Sequence, residues 1–292
     1  MKLAYYPGCT LKNHARNFDD TTVASMARLG VEVRELERWN CCGTVHGLAS
    51  DNLMQRAAPV TNLIRVKESG AGEFMTGCAM CYNTLKRANQ HMRKDAAALA
   101  TLNDFLSLEE TQYAGDVDVF HLLEFLRDRV GFDKLAAAVT KPLKGLRVAC
   151  YYGCMLVRPR EVAFDDSESP AIMENLIAAL GATPVPFALK AECCGAYHAV
   201  GRPEIVADRT DKIMGSALAH AADIVIVSCP LCAHNLDHKQ VEAKKHHPDF
   251  HGLPVLYFTQ LMAIALGCDD AAQHFELHHV DPRPLLTDRG LA

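Results

Sequence analysis

Twelve cysteines stand at positions 9, 41, 42, 78, 81, 150, 154, 193, 194, 229, 232 and 268 of this 292-residue chain. A thiolate is a nucleophile, half of a redox couple and a ligand for soft metals, so cysteine types and spacing come first. Ten of the twelve fall into two matched sets. Cys9, the Cys41-Cys42-Gly43 block and Cys78-Ala79-Met80-Cys81 make one. Cys154, Cys193-Cys194-Gly195 and Cys229-Pro230-Leu231-Cys232 make the other. The offset between matched cysteines is 145 (9 to 154), 152 (41 to 193, 42 to 194) or 151 (78 to 229, 81 to 232). A near-constant offset over five pairs marks a tandem duplication.

Five thiols per half exceed the four ligands of a structural zinc site. Adjacent cysteines also suit one small ion poorly, because neighbouring side chains do not readily turn onto the same centre. They suit a larger iron–sulfur cluster, whose irons are spaced apart, although ordinary clusters use four cysteines. Five per half point to an unusual cluster with one ligand bridging or doubled. A zinc-loaded scaffold is the competing reading, separable by iron content. Gly43 and Gly195 fit a tight turn around a bulky ligand.

The chain must carry elements that bring these loops together. Leu3–Tyr6, Val31–Leu36 and Glu73–Met75 read as short strands. Asp20–Leu29 and Leu53–Glu68 have helical spacing of apolar residues. The second half repeats the pattern: strands Leu146–Tyr152, Pro184–Phe187 and Asp223–Ser228, with helices Pro170–Leu180 and Ile205–Ala221. Gly30 and Gly181 each close a helix just before a strand. The predicted fold is α/β, a tandem duplication of two similar halves with mainly parallel sheets. The cysteine sites lie on loops after strand ends, where open α/β sheets gather ligands. Thr140–Gly145 is the candidate junction, giving domains 1–142 and 143–292, the second with a C-terminal tail.

Composition narrows the function. A net charge of −5, with no basic stripe, excludes a nucleic-acid surface. Met1–Cys9 lacks an apolar stretch of signal-peptide length, and no run is long enough for a transmembrane segment. A cytoplasmic location is expected, where structural disulfides are rare. Neither a dinucleotide fingerprint nor a phosphate-binding loop occurs, so electrons must come from a partner.

Other residues carry weaker signals. His46 and His198 each stand four residues after the second cysteine of their block, and are candidate proton donors to a released thiolate. The bland alternative is that they hydrogen-bond the turn. Cys150 and Cys268 lack repeat partners and read as packing residues. Lys244–His251 reads as a solvated connector. The tail after Asp269 is polar, and either mobility or docking on a partner fits it.

The Tyr5-Tyr6-Pro7-Gly8-Cys9 block, the matching Cys150-Tyr151-Tyr152-Gly153-Cys154 block with Arg158-Pro159, and both CCG and CxxC blocks carry a resemblance. They resemble the tandem cysteine-rich CCG domains of HdrB, the catalytic subunit of heterodisulfide reductase. The resemblance spans nearly the whole chain. Related domains occur in glycolate oxidases, lactate-utilisation proteins and some fumarate reductases. The resemblance implies two noncubane [4Fe-4S] clusters. One would use Cys9, Cys41, Cys42, Cys78 and Cys81; the other would use Cys154, Cys193, Cys194, Cys229 and Cys232. It further implies a disulfide or related sulfur substrate bound between them, reduced or formed by one electron per cluster. The partners implied are a ferredoxin-like iron–sulfur subunit of the HdrC type and a flavin-containing subunit. The alternative is a subunit that relays electrons within a sulfur-oxidation, glycolate, lactate or fumarate complex, without disulfide chemistry of its own.

Overall fold

The structure is a computed structural model and describes residues 1–44, 53–246 and 252–291. The first half holds four parallel strands: β1 (Lys2–Tyr5), β2 (Glu32–Glu35), β3 (Glu73–Thr76) and β4 (Asp118–His121). The second holds β5 (Arg147–Cys150), β6 (Thr183–Val185), β7 (Ile224–Val227) and β8 (Val255–Tyr257), also parallel. The spatial orders β2-β1-β3-β4 and β6-β5-β7-β8 are the same order twice. The duplication and the parallel α/β class both stand as the sequence implied.

Strand chemistry follows position. All four residues of β7 are buried, as expected for a central strand covered on both faces, whereas edge strand β2 is mostly exposed. The sequence reading omitted β4 and β8, the outer strands of each sheet. Helix bounds move by a few residues: Arg16–Arg28 replaces Asp20–Leu29, and Ala57–Glu68 is preceded by a 3-10 turn at Leu53–Arg56. Gly30 and Gly181 both adopt positive φ and end their helices.

The halves share one continuous apolar core. Helix Arg16–Arg28 of the first half packs on helix Phe258–Ala265 of the second. Phe18 stacks on Tyr257 with ring centroids 4.3 Å apart, and the Thr21 and Thr259 hydroxyls meet at 2.8 Å. At the carboxyl ends of the central strands, the Ala79 amide donates to the Ser228 carbonyl at 3.2 Å.

The tail is folded onto its own chain. His274 pairs with Asp20 at 2.7 Å, and the His278 ring meets Asn17 at 3.1 Å. Backbone amides of His279 and Val280 donate to Asp237, and Arg289 donates to the Gly145 carbonyl. Leu286 and Leu291 are buried. Among the described residues no helix is long and apolar enough to cross a membrane.

Candidate functional site

The CxxC segments start helices. Cys78 is the N-cap of helix Ala79–Lys94, and Cys229 is the N-cap of helix Pro230–His238. Residues three apart share a helix face, so Cys81 and Cys232 return their sulfurs to the side of the cap. Exposed amides of a first helical turn also favour thiolate over thiol.

Each vicinal pair places one sulfur by the upstream cysteine and the other by the CxxC segment, and in the first half Cys41 and Cys42 also hydrogen-bond each other. Cys41 approaches Cys9, Sγ to Sγ 3.7 Å, while Cys42 hydrogen-bonds with Cys81. In the second half Cys193 hydrogen-bonds with Cys154, and Cys194 lies 3.5 Å from Cys232. Cys78 and Cys229 complete the sets beside Cys81 and Cys232, and they also contact each other. Ten sulfurs therefore form two groups that meet at the link between the halves. Hydrogen bonds from Cys41 and then Cys81 pull Cys42 down to about 4, and one from Cys154 pulls Cys193 down to about 6. Their partners Cys41, Cys81 and Cys154 are pushed up in turn, so each group sets a readily ionised sulfur beside neighbours that hold their protons.

The glycines before Cys9 and Cys154 make room for this. A Cβ on Gly8 would lie 2.9 Å from Cys81 Sγ and 3.4 Å from the Tyr6 ring. One on Gly153 would lie 3.2 Å from Cys232 Sγ and 3.4 Å from the Tyr151 ring. Both glycines have positive φ. Tyr6 donates to the Asn40 carbonyl and Tyr151 to the Glu192 carbonyl, tying each strand end to the backbone before its Cys-Cys block.

These donors fit a cluster better than a lone ion. Among the described residues no three His, Cys, Asp or Glu side chains are arranged to hold a single metal ion. The five second-half sulfurs line a small pocket whose wall also includes Ala79 and Met80 of the first half. Thiols distributed around an apolar hollow match a multi-iron sulfide unit, which presents several separated metal atoms to soft ligands.

Other predicted residues fare differently. His198 lies exposed on the turn Ala196–His198, and His46 lies outside the described residues. From this turn it is Ala196 and Tyr197 that line the pocket, and Tyr197 hydrogen-bonds Thr44 of the first half. Burial, then the nearby Cys154 sulfur, pushes its hydroxyl up to about 12. Thr44 in turn lies 2.8 Å from Thr84, a hydrogen-bond partner of Cys42. Sequence reading missed Tyr197; the only signal was that its repeat counterpart is Val45. Cys150 is fully buried on β5, and burial pushes its thiol up. Cys268 is partly buried near Ser25 and Arg28.

Residues 3–86 and 148–237 each match the cysteine-rich domain CCG. The chain belongs to the CCG family. It is 34% identical over 280 residues to the 8-methylmenaquinol:fumarate reductase membrane anchor subunit of Wolinella succinogenes, covering 95% of this chain and 96% of that one. The HdrB component of the ferredoxin:CoB-CoM heterodisulfide reductase of Methanosarcina mazei is 28% identical over 269 residues, covering 91% and 89%. An HdrB-like protein of Archaeoglobus profundus is 25% identical, covering 92% of each chain. The resemblance to HdrB thus extends along both halves of this CCG protein. Among solved structures, a hypothetical protein from Helicobacter pylori shares the fold, with a TM-score of 0.76 at 12% identity. That match covers 95% of this chain, which spans about half the length of the other.

Proposed function

We propose that this CCG protein is the iron–sulfur subunit of a reductase complex and reduces, or forms, a disulfide or related sulfur substrate. Two noncubane [4Fe-4S] clusters would be held by Cys9, Cys41, Cys42, Cys78 and Cys81, and by Cys154, Cys193, Cys194, Cys229 and Cys232. The observation carrying this reading is the division of each vicinal pair between the upstream cysteine and the CxxC segment. In the second half this division spreads five sulfurs around one hollow.

Each cluster, when bound, supplies one-electron chemistry. The chain's own part is positional. Ala79–Ser228 pairing and the Cys78–Cys229 contact hold the two cysteine groups side by side, so that one small molecule can reach both. Tyr197 covers the second group beside Cys154 and ties it to Thr44. Met80 and Ala79 exclude water from the shared wall. His46 and His198 are retained as proposed proton donors. A ferredoxin-like subunit and a flavin-containing subunit would deliver the electrons, in the cytoplasm.

A second reading is favoured by the relative named for a fumarate reductase: electron relay without disulfide chemistry. The two separate in one experiment. Anaerobically purified protein should contain about eight irons per chain, and should cleave a disulfide with an artificial reductant alone. Iron without cleavage would leave only the relay reading. A colourless, zinc-loaded protein would sink both.

A further inference from the structure

Duplication of a fold creates two matched grooves, one on each side of the point where the CxxC turns meet. Here they differ. In one, the segment Met155–Val162 fills the space against helix Ala79–Lys94. Asn83 Nδ2 donates to the carbonyls of Met155 (2.8 Å) and Arg158 (2.7 Å). Tyr82 donates to the carbonyl of Val162 and Gln90 to that of Glu161, both at 2.7 Å. Leu156, Val157 and Val162 are buried beneath. This groove is plugged.

The repeat offsets locate its counterpart. Tyr82 and Asn83 correspond to Ala233 and His234, and Met155 and Arg158 correspond to Thr10 and Asn13. These four residues do not close on one another. They line an open cavity of about 620 Å³ between the halves. The cause lies in loop length: 26 residues lie between Cys154 and the helix-ending Gly181, against 20 between Cys9 and Gly30.

Among the described residues no cysteine lines the open groove, but its walls include the immediate chain neighbours of Cys9 and Cys229. Thr10 adjoins Cys9, with Oγ1 3.8 Å from its sulfur, and Asn13 Nδ2 donates to the Cys9 carbonyl at 2.8 Å. Pro230 and Leu231 follow Cys229 directly. The lining is largely apolar, with Val255, Tyr257 and Leu277 joining Leu231. Among the described residues its walls carry the imidazoles of His14 from the first half and of His234 and His238 from the second, the latter two stacked at 4.8 Å, with the Thr10 hydroxyl and Asn13 amide beside them. Among the described residues Asp237 is the one carboxylate, and its two oxygens accept the His279 and Val280 amides. Among the same residues no lysine or arginine lines the groove. A mostly apolar cleft with a few converging hydrogen-bond donors is the usual form of a small-molecule site.

We propose that this groove is the entrance, among the described residues, through which substrate reaches both cysteine groups, and that it selects a small disulfide bearing carboxylates, gripped between His14 and His234. The inference rests on the sulfur-redox reading above. Imidazole N–H groups on opposite walls suit a carboxylate, which accepts charge-assisted hydrogen bonds on two oxygens. The apolar floor suits the carbon chain, and the sulfurs would lie toward Cys9 and Cys229.

The test is equilibrium binding to the anaerobic holoprotein, read without turnover. The probes are 3,3′-dithiodipropionate and bis(2-hydroxyethyl) disulfide, which are of similar length and differ in charge. The dicarboxylate should bind about tenfold tighter or better, as expected for charge-assisted contacts. His14→Asn and His234→Asn should remove that preference with iron content unchanged; asparagine already stands at the matched position Asn83. Ala233→Trp should abolish binding of both probes, whereas Arg160→Trp, on the exposed face of the plug, should leave both intact. Equal affinity for the two probes, or a preference surviving the double His variant, overturns the carboxylate assignment. Binding that survives Ala233→Trp overturns the entrance. Protein that binds the dicarboxylate selectively but never cleaves it keeps the groove and sinks the disulfide chemistry.

Discussion

Ala79 and Ser228 join the two halves through one backbone hydrogen bond, and its symmetric partner cannot exist. The residue matched to Ala79 is Pro230, which has no amide hydrogen to give to Gly77. The backbone part of the link between the two cysteine groups is therefore made from one side only, at 3.2 Å, beside the Cys78–Cys229 contact. The first prediction concerns how independently the groups behave.

Cys42→Ala removes the sulfur that turns toward Cys81, and touches no sulfur of the second half. Iron and acid-labile sulfide should fall to about half, the four-iron share of one site. One of two paramagnetic signals should vanish while the other persists. Loss of all iron would show that the two groups assemble as one unit.

Gly8→Ala tests the close approach of sulfur and backbone. The new Cβ must sit 2.9 Å from Cys81 Sγ at a φ of +79°. Gly30→Ala is the reference, since Gly30 has φ +77° and nothing within 4 Å of an added Cβ. The left-handed conformation alone costs roughly 1–2 kcal/mol at either position. The clash should add about 1–3 kcal/mol at Gly8 only, with weaker cluster retention. Thermal unfolding of both variants, with iron content, measures the difference.

The His274–Asp20 pair should stabilise the tail at low pH and not at high pH. The Asp20 hydrogen bond holds the His274 imidazolium above its ordinary value. A pKa raised in the folded state gives stability that is full below the unfolded value, about 6.5, and is lost as pH rises through the folded value. The pair is solvent-exposed, so the expected effect is about 0.5 kcal/mol. Comparing His274→Gln with the parent by thermal unfolding at pH 6 and pH 9 should show the gap closing at the higher pH.

Much of this molecule was legible because the duplication repeats its rarest residue type. Matched cysteines fixed the expectation of two α/β halves, and thiols placed after β1, β3, β5 and β7 converged as strand topology requires. β4 and β8 escaped notice because the repeat was traced through its matched cysteines, and none of these lies on a loop that follows either strand. The role of Tyr197 depends on Thr44, which lies in the other half and far away in sequence. The open groove was hidden for a different reason. His14 and His234 gain meaning only once Asn83 is seen holding the Met155–Val162 plug on the matched side. The tail, left undecided between mobility and partner docking, proved to bind its own chain through contacts such as His274 with Asp20, 254 residues apart.

That long reach governs the order of events during synthesis. The ribosome makes Asp20 254 residues before His274, so the first-half helix waits for both sheets to be synthesised before these neighbours arrive. Until then Asn17 and Asp20 lack their partners and the core lacks Leu286 and Leu291. A nascent chain thus passes through a stage with all twelve of these cysteines made and the clasp still unfastened, when the proposed clusters would have the least protein to displace.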